Sequence, residues 1–203
     1  MKIPESKEVI KRSKLPEDKV KCIYIFGSQV YGNTDYNSDW DFIIVANDVT
    51  QGQEIKSGNF NIHLVTPEGF KNLLDEHRPQ AIECFFAPPE FKLMEDIKFK
   101  FKLSLKTLRH SFSQTSSNSW VKCKKKLKQG DYKIGIKSLY HSLRIPMFGI
   151  QLSKTGKISD FSCANKIHKV LISKKDWDWE ELDNKFRVVR NQILTEFRRV
   201  TEK

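Results

Sequence analysis

Two short runs rich in β-branched and aromatic residues, VKCIYIF (20–26) and DFIIVA (41–46), constrain this chain most through the way the first ends and the second begins. Each has the length and composition of a buried strand, and the residues between them are dominated by Gly, Asn, Ser and Asp, which favour turns. The first run stops at Gly27-Ser28, and the second opens on Asp39 and Asp41. Side chains alternate along a strand, so these two carboxylates point to one face with Cα atoms about 6.5 Å apart. Carboxylates held that close repel unless a cation lies between them. The stretch is therefore either an acidic turn by accident or a seat for a metal ion and phosphate. Hard oxygen ligands suit Mg²⁺ or Mn²⁺, the ions that serve in-line attack on a triphosphate. Gly27 allows close approach to the backbone, and Ser28 offers a hydroxyl and an N–H at a potential helix start.

The remaining elements read in order. ESKEVIKRSKL after Pro4 is a short amphipathic helix, and QEIKSGNFNIHLV is a hairpin with Ser57-Gly58-Asn59 at its tip. A helix starts at Pro67, capped by Thr66, and runs to about His77; QAIECFF forms another before Pro88-Pro89. Beyond that point strand signals fade. Helices are expected over 103–128, interrupted or bent near SQTSSNS, then from Asp131 to Gln151 with a kink at Pro146. A last helix carries Trp179, Leu182, Phe186, Val189, Ile193, Phe197 and Val200 at spacings of three and four. The expected division is a mixed α/β part over 1–95 and a helical part over 96–203.

The chain of 203 residues carries 36 Lys and Arg against 25 Asp and Glu, a net charge of +11. From Ile97 to Gly130 there are ten basic residues and no acid. That excess points to polyanionic partners, nucleotides or nucleic acid, although it also serves solubility. Cys22, Cys84, Cys123 and Cys163 form no C-x-x-C pair and read as reduced thiols, which implies a cytoplasmic setting or a nuclear one. No apolar run approaches the length of a membrane span and no secretory leader is evident, so no membrane partner is expected.

GS, ten intervening residues, and DWD followed by an apolar strand together resemble the signature of the DNA polymerase β-like nucleotidyltransferase superfamily. Tyr31-Gly32 and Ser38 are similar to positions of the minimal nucleotidyltransferases, and IHLVTPEGFKNLLDEHRPQAIECFFAP resembles a group of bacterial and phage members. The resemblance covers most of residues 20–90. It implies an α+β fold, a mixed sheet with flanking helices followed by an all-helical C-terminal domain. It also implies a chemistry. Asp39 and Asp41 would hold Mg²⁺ or Mn²⁺ against a nucleoside triphosphate, ATP foremost, and Gly27 and Ser28 would bind its β- and γ-phosphates. An acceptor hydroxyl, on RNA or protein, would then take the nucleoside monophosphate.

The pattern departs at the third carboxylate such proteins carry on the strand after the hairpin. That position falls at Asn61, which offers a metal a carbonyl oxygen but no charge, with His63 two residues on as the alternative proton acceptor or simply a strand histidine. Glu54, on the hairpin's other arm, is a stand-in for that acid if the strands pair so as to bring it inward. Glu83 matches the glutamate of an ALE segment in the resembling group, either structural or at the site. The resemblance also implies donors from the helical part. Lys137, Tyr140 and Arg144 fall at helical spacing and are candidates to contact the nucleotide, or are core and surface of an ordinary helix. Lys122, Lys124, Lys125, Lys126 and Lys128 are candidates to track a nucleic-acid backbone, or form a solvated helix face. Loss of the third acid leaves a second reading open, a catalytically impaired nucleotide- or RNA-binding protein on the same fold.

Overall fold

The computed structural model describes residues 2–34 and 38–202; part of the loop expected over 30–38 thus lies outside the described residues. The chain divides into two compact units, residues 1–102 and 103–203.

The first unit is built on a five-stranded sheet of order β3-β4-β2-β1-β5. Its strands are β1 (Val20–Phe26), β2 (Trp40–Ala46), β3 (Glu54–Ser57), β4 (Phe60–Val65) and β5 (Lys92–Glu95). β2 and β4 run parallel, and the other neighbours are antiparallel. One face carries Ile23, Ile25, Phe42, Ile44, Ile62 and Leu64, which form a single buried cluster with Val9 and Ile10 of α1 (Ser6–Ser13). The opposite face is covered by α2 (Ser28–Tyr31), α3 (Pro67–Asp75) and α4 (Pro79–Phe86), with Tyr24 stacked on Phe70 at 5.3 Å. Thr66 caps α3 by accepting from the Gly69 N–H at 3.0 Å. With two faces buried, β1 and β2 tolerate almost no polar residue except where the strands meet the α2 turn.

β5 was not legible in the sequence. Its four residues, KLME, lack an apolar alternation, and they are strand because β1 offers an open edge on which they pair. The chain after β5 stays with this unit: Phe99 packs on Phe70 at 4.8 Å and Phe101 on His77 at 5.0 Å. The division accordingly falls at 102/103 rather than at 95/96.

The second unit holds α5 (Leu105–Lys128), α6 (Tyr132–Thr155), α7 (Asn165–Ile172) and α8 (Trp179–Thr201). α5 runs unbroken through SQTSSNS, where tertiary contact outweighs weak local propensity: buried Ser116 donates to the Ser142 carbonyl of α6 at 2.6 Å. Asp131 caps α6 through the Ile134 N–H, and α6 passes Pro146 to end at Thr155. Gly149 lets α8 approach closely, since a Cβ there would meet the Phe197 ring at 2.4 Å. α8 opens on a capping box between Asp178 and Glu181. Leu108, Phe112, Leu143, Phe148, Leu182 and Phe197 make the core.

A candidate nucleotide site at the mouth of the sheet

The sheet register gathers the acidic motif. Phe26 of β1, Asp41 of β2 and Asn61 of β4 lie in one cross-strand row, and Lys56 of β3 continues it. The next row on the same face is Tyr24, Ile43, His63 and Glu54. Asp39 sits immediately before β2 on the side of Asp41, as period-two alternation requires.

Gly27 links β1 to α2 with φ 82° and ψ −153°, a conformation essentially reserved for glycine. A Cβ at this position would stand 2.7 Å from Asp41 Oδ2. The bare backbone of Gly27 therefore lies directly against the Asp41 carboxylate. The Val30 and Tyr31 N–H groups are spent on the Gly27 carbonyl, at 3.0 and 3.2 Å. Ser28, half-buried, is the first residue of the short α2.

Asn61 occupies the place read as that of a third carboxylate, but it is turned otherwise than the sequence implied. Its side-chain N–H₂ faces the acids, donating to Asp39 Oδ2 at 3.3 Å and to Asp41 Oδ1 at 3.1 Å. Two carboxylates that would repel are thus held by a neutral donor that takes part of the work of a cation. The expected carbonyl ligand points elsewhere in this arrangement; half a turn of the amide would exchange the two atoms. Among the described residues no cluster of three or more His, Cys, Asp or Glu is placed to hold a metal. Two carboxylates still fit a magnesium-type ion that arrives with its nucleotide, because Mg²⁺ is commonly held by one or two carboxylates together with substrate phosphates.

His63 is beside the acids, not among them. Its Nδ1 lies 3.3 Å from Glu54 Oε1, and its ring centroid is 5.7 Å from that of Phe26. Glu54, largely exposed, is thereby engaged with His63 instead of standing in as the missing acid. Glu83 is buried on α4 and accepts a hydrogen bond from the Tyr31 hydroxyl, which ties α2 to α4 from behind. Neither this tie nor the position of Lys56 was read from the sequence. The only signals available were Tyr31-Gly32 in the motif and the register of the hairpin.

In the helical unit the expected donor stripe separates. Lys137 is exposed, whereas Tyr140 and Arg144 are 3% and 2% exposed. The Arg144 guanidinium donates to His141 Nδ1 at 2.8 Å and lies 4.8 Å from the Phe148 ring centre; the Tyr140 hydroxyl donates to Asn165 Oδ1 at 3.3 Å. Burial first, then the charges of Arg144, Lys137 and Lys122, hold the His141 imidazole well below its ordinary pKa. Among the basic run, Lys122, Lys124, Lys125 and Lys128 are exposed, Lys124 with its ammonium 5.7 Å from the Trp179 ring. Lys126 is half-buried and pairs with Asp131 at 3.2 Å.

The nucleotidyltransferase domain model matches residues 6–110. The chain belongs to that family. The match spans the whole sheet with its Gly27-Ser28 turn, Asp39 and Asp41. Among solved structures, spectinomycin adenyltransferase AAD(9) from Enterococcus faecialis, determined with ATP and spectinomycin, is similar at 12% identity and TM-score 0.51. The alignment covers 96% of this chain and all of that one, so the likeness extends to the helical unit and shows the fold. A nucleotidyltransferase-like protein from Exiguobacterium sibiricum also aligns, at 11% identity and TM-score 0.35, over 97% of this chain and 73% of that one. No curated protein sequence matches. The nucleotidyltransferase fold is thus a mixed five-stranded sheet with flanking helices, followed by α5–α8. No helix among the described residues is long and apolar enough to cross a membrane.

Proposed function

We propose that the protein transfers a nucleoside monophosphate from a nucleoside triphosphate, ATP foremost, to a hydroxyl group of an acceptor. The observation that carries the reading is the contact of Gly27 with Asp41: a side-chain-free turn set against paired carboxylates, within a nucleotidyltransferase domain. The acceptor hydroxyl attacks the α-phosphorus, the bond from that phosphorus to the bridging oxygen breaks, and pyrophosphate leaves. Asp39 and Asp41 would hold a Mg²⁺ or Mn²⁺ ion, which when bound offsets charge on the triphosphate. Gly27 and Ser28 bring the backbone to the β- and γ-phosphates, and position supplies most of the rate. His63, its Nδ1 turned to Glu54, is the proposed acceptor of the hydroxyl proton. The net charge of +11 favours an anionic acceptor such as RNA over a neutral one; ATP and a small molecule bind the Enterococcus enzyme.

The test is incubation with α-³²P-ATP, Mg²⁺ or Mn²⁺ and RNA or protein acceptors. Label transfer that disappears in Asp39→Asn plus Asp41→Asn supports the reading, and transfer unchanged in that variant defeats it. The Asn61 amide favours a second reading, a nucleotide-binding protein with impaired transfer. That reading expects ATP with Mg²⁺ to raise the melting temperature without release of pyrophosphate.

A further inference from the structure

α8 carries four arginines, and two of them are spoken for. Arg187 is bonded to Asp183 and Arg199 to Glu196, while Glu181 pairs with Lys174 and Glu202 with Arg109. Arg190 and Arg198 have no carboxylate partner among the described residues. Both line one cavity of about 340 Å³ between α5 and α8, together with Ser113, Ser117, Asn191 and Thr195. No acid lines this cavity. Two arginines lining a common space without a counter-charge are costly to maintain, because they repel each other and Arg190 is partly desolvated as well.

The details show where the cost sits. The Arg190 guanidinium is fixed over the Trp120 ring at 4.8 Å, and its Nε is buried with no hydrogen-bond partner. Burial first, then the Arg198 charge, lower its pKa. Eight residues separate the two arginines, about 12 Å along the helix, so side chains of this length converge on the space between them. Ser113 and Ser117 of α5 and Thr195 of α8 line the same space with their hydroxyl-bearing side chains. A planar carboxylate is satisfied by one guanidinium; two guanidiniums with hydroxyls around them match the charge and the several acceptor oxygens of a tetrahedral oxyanion.

We propose that the α5–α8 pocket of the helical unit is a binding site for a phosphate group, free or within a phosphodiester, held by Arg190 and Arg198 with Ser113, Ser117 and Thr195 as neutral donors. The proposal does not depend on transfer at Asp39 and Asp41. The surrounding basic character of α5, acid-free throughout, supplies attraction for a polyanion but no pocket of its own.

The experiment uses the full chain in EDTA, so that no metal–nucleotide contributes. One arm titrates inorganic phosphate, following tryptophan fluorescence near Trp120; the other titrates a labelled single-stranded RNA of about 12 nucleotides by polarisation. Arg190→Gln plus Arg198→Gln is expected to weaken binding at least tenfold in an arm where the wild type binds. In the RNA arm, the slope of log K against log salt should fall in magnitude by about 0.7, as for one phosphate contact removed. Arg198→Gln alone, at an exposed position that the core does not need, should weaken binding at least threefold. Lys7→Gln plus Lys11→Gln, which removes equal charge from α1, should change it less than threefold. A response to phosphate alone identifies the free anion, and a response to RNA alone identifies the phosphodiester; either supports the site. Absence of binding in both arms, or equal losses in the arginine and lysine variants, would overturn it.

Discussion

Replacing Asn61 with Asp puts the candidate site to its most direct test. The amide nitrogen of Asn61 is 3.3 Å from Asp39 and 3.1 Å from Asp41, so Asn61→Asp converts two attractive contacts into two repulsions without a change of size. Each lost hydrogen bond to a charged group is worth about 1.5–3 kcal/mol. Each new carboxylate pair at this range repels by about 1 kcal/mol in water-like surroundings and by about 5 at an effective dielectric near 20. The total has a ceiling, because the trio escapes further penalty by taking up a proton. That escape costs about 1.4 kcal/mol per pH unit above the ordinary carboxylate pKa, or about 4 kcal/mol at pH 7. Without metal the variant should therefore be destabilised by about 2–4 kcal/mol at pH 7, a fall in melting temperature of roughly 5–15 °C. The sign with pH follows. The trio's pKa is raised in the folded state, so the native protein binds more protons than the unfolded one, and the penalty grows as pH rises from about 4. A divalent ion reverses the charge balance, so Mg²⁺ should restore more stability to the variant than it adds to the wild type. Thermal melts at pH 5 and 7.5, in EDTA and in about 5 mM Mg²⁺, measure all of this at once. Under the impaired reading of the wild type, the same variant gains pyrophosphate release. A variant that melts within a degree of wild type in EDTA, with no larger response to Mg²⁺, would refute the placement of Asn61 between the two acids.

Three further outcomes follow from the geometry. Gly27→Ala requires a strained backbone and displaces Asp41 Oδ2 from 2.7 Å, so it should cost about 1–3 kcal/mol and reduce ATP-dependent stabilisation more than tenfold; chemical denaturation and a thermal titration check both. His63→Gln should lower kcat at least tenfold with little change in KM if His63 accepts the proton, and Glu54→Gln should lower it less, as an orienting partner would. His141 titrates well below its ordinary value in the folded protein, so the unfolded chain binds more protons below about pH 6.5. Stability should fall as pH drops from 6.5 to 5, by up to about 2 kcal/mol from this residue, and His141→Gln should flatten that slope in urea titrations at stepped pH.

Local chemistry made much of the first unit legible. β-branched runs, Pro at the start of α3, the Thr66 cap and a glycine hairpin each specify their structure within a few residues, and the structure follows them. The pairing of Asp39 with Asp41 likewise needs only the alternation of a strand. Elements chosen by tertiary context escaped the reading. β5 is a strand because the edge of β1 is open, α5 stays whole because Ser116 and its neighbours are packed on α6, and neither cause is visible in a window of ten residues.

The sequence by itself determined that two acids would share one face of a strand at a set distance from a Gly-Ser turn, since alternation and glycine's freedom are properties of the chain alone. Only the tertiary structure decided which atoms meet them. Parallel pairing of β2 with β4 places Asn61 beside Asp41, and hydrogen-bond balance turns its amide nitrogen toward both carboxylates. It also decided which cations have partners. Packing of α5, α6 and α8 buries Arg144 in the core and leaves Arg190 and Arg198 facing one cavity, because helical spacing fixes a face but not the surface laid against it.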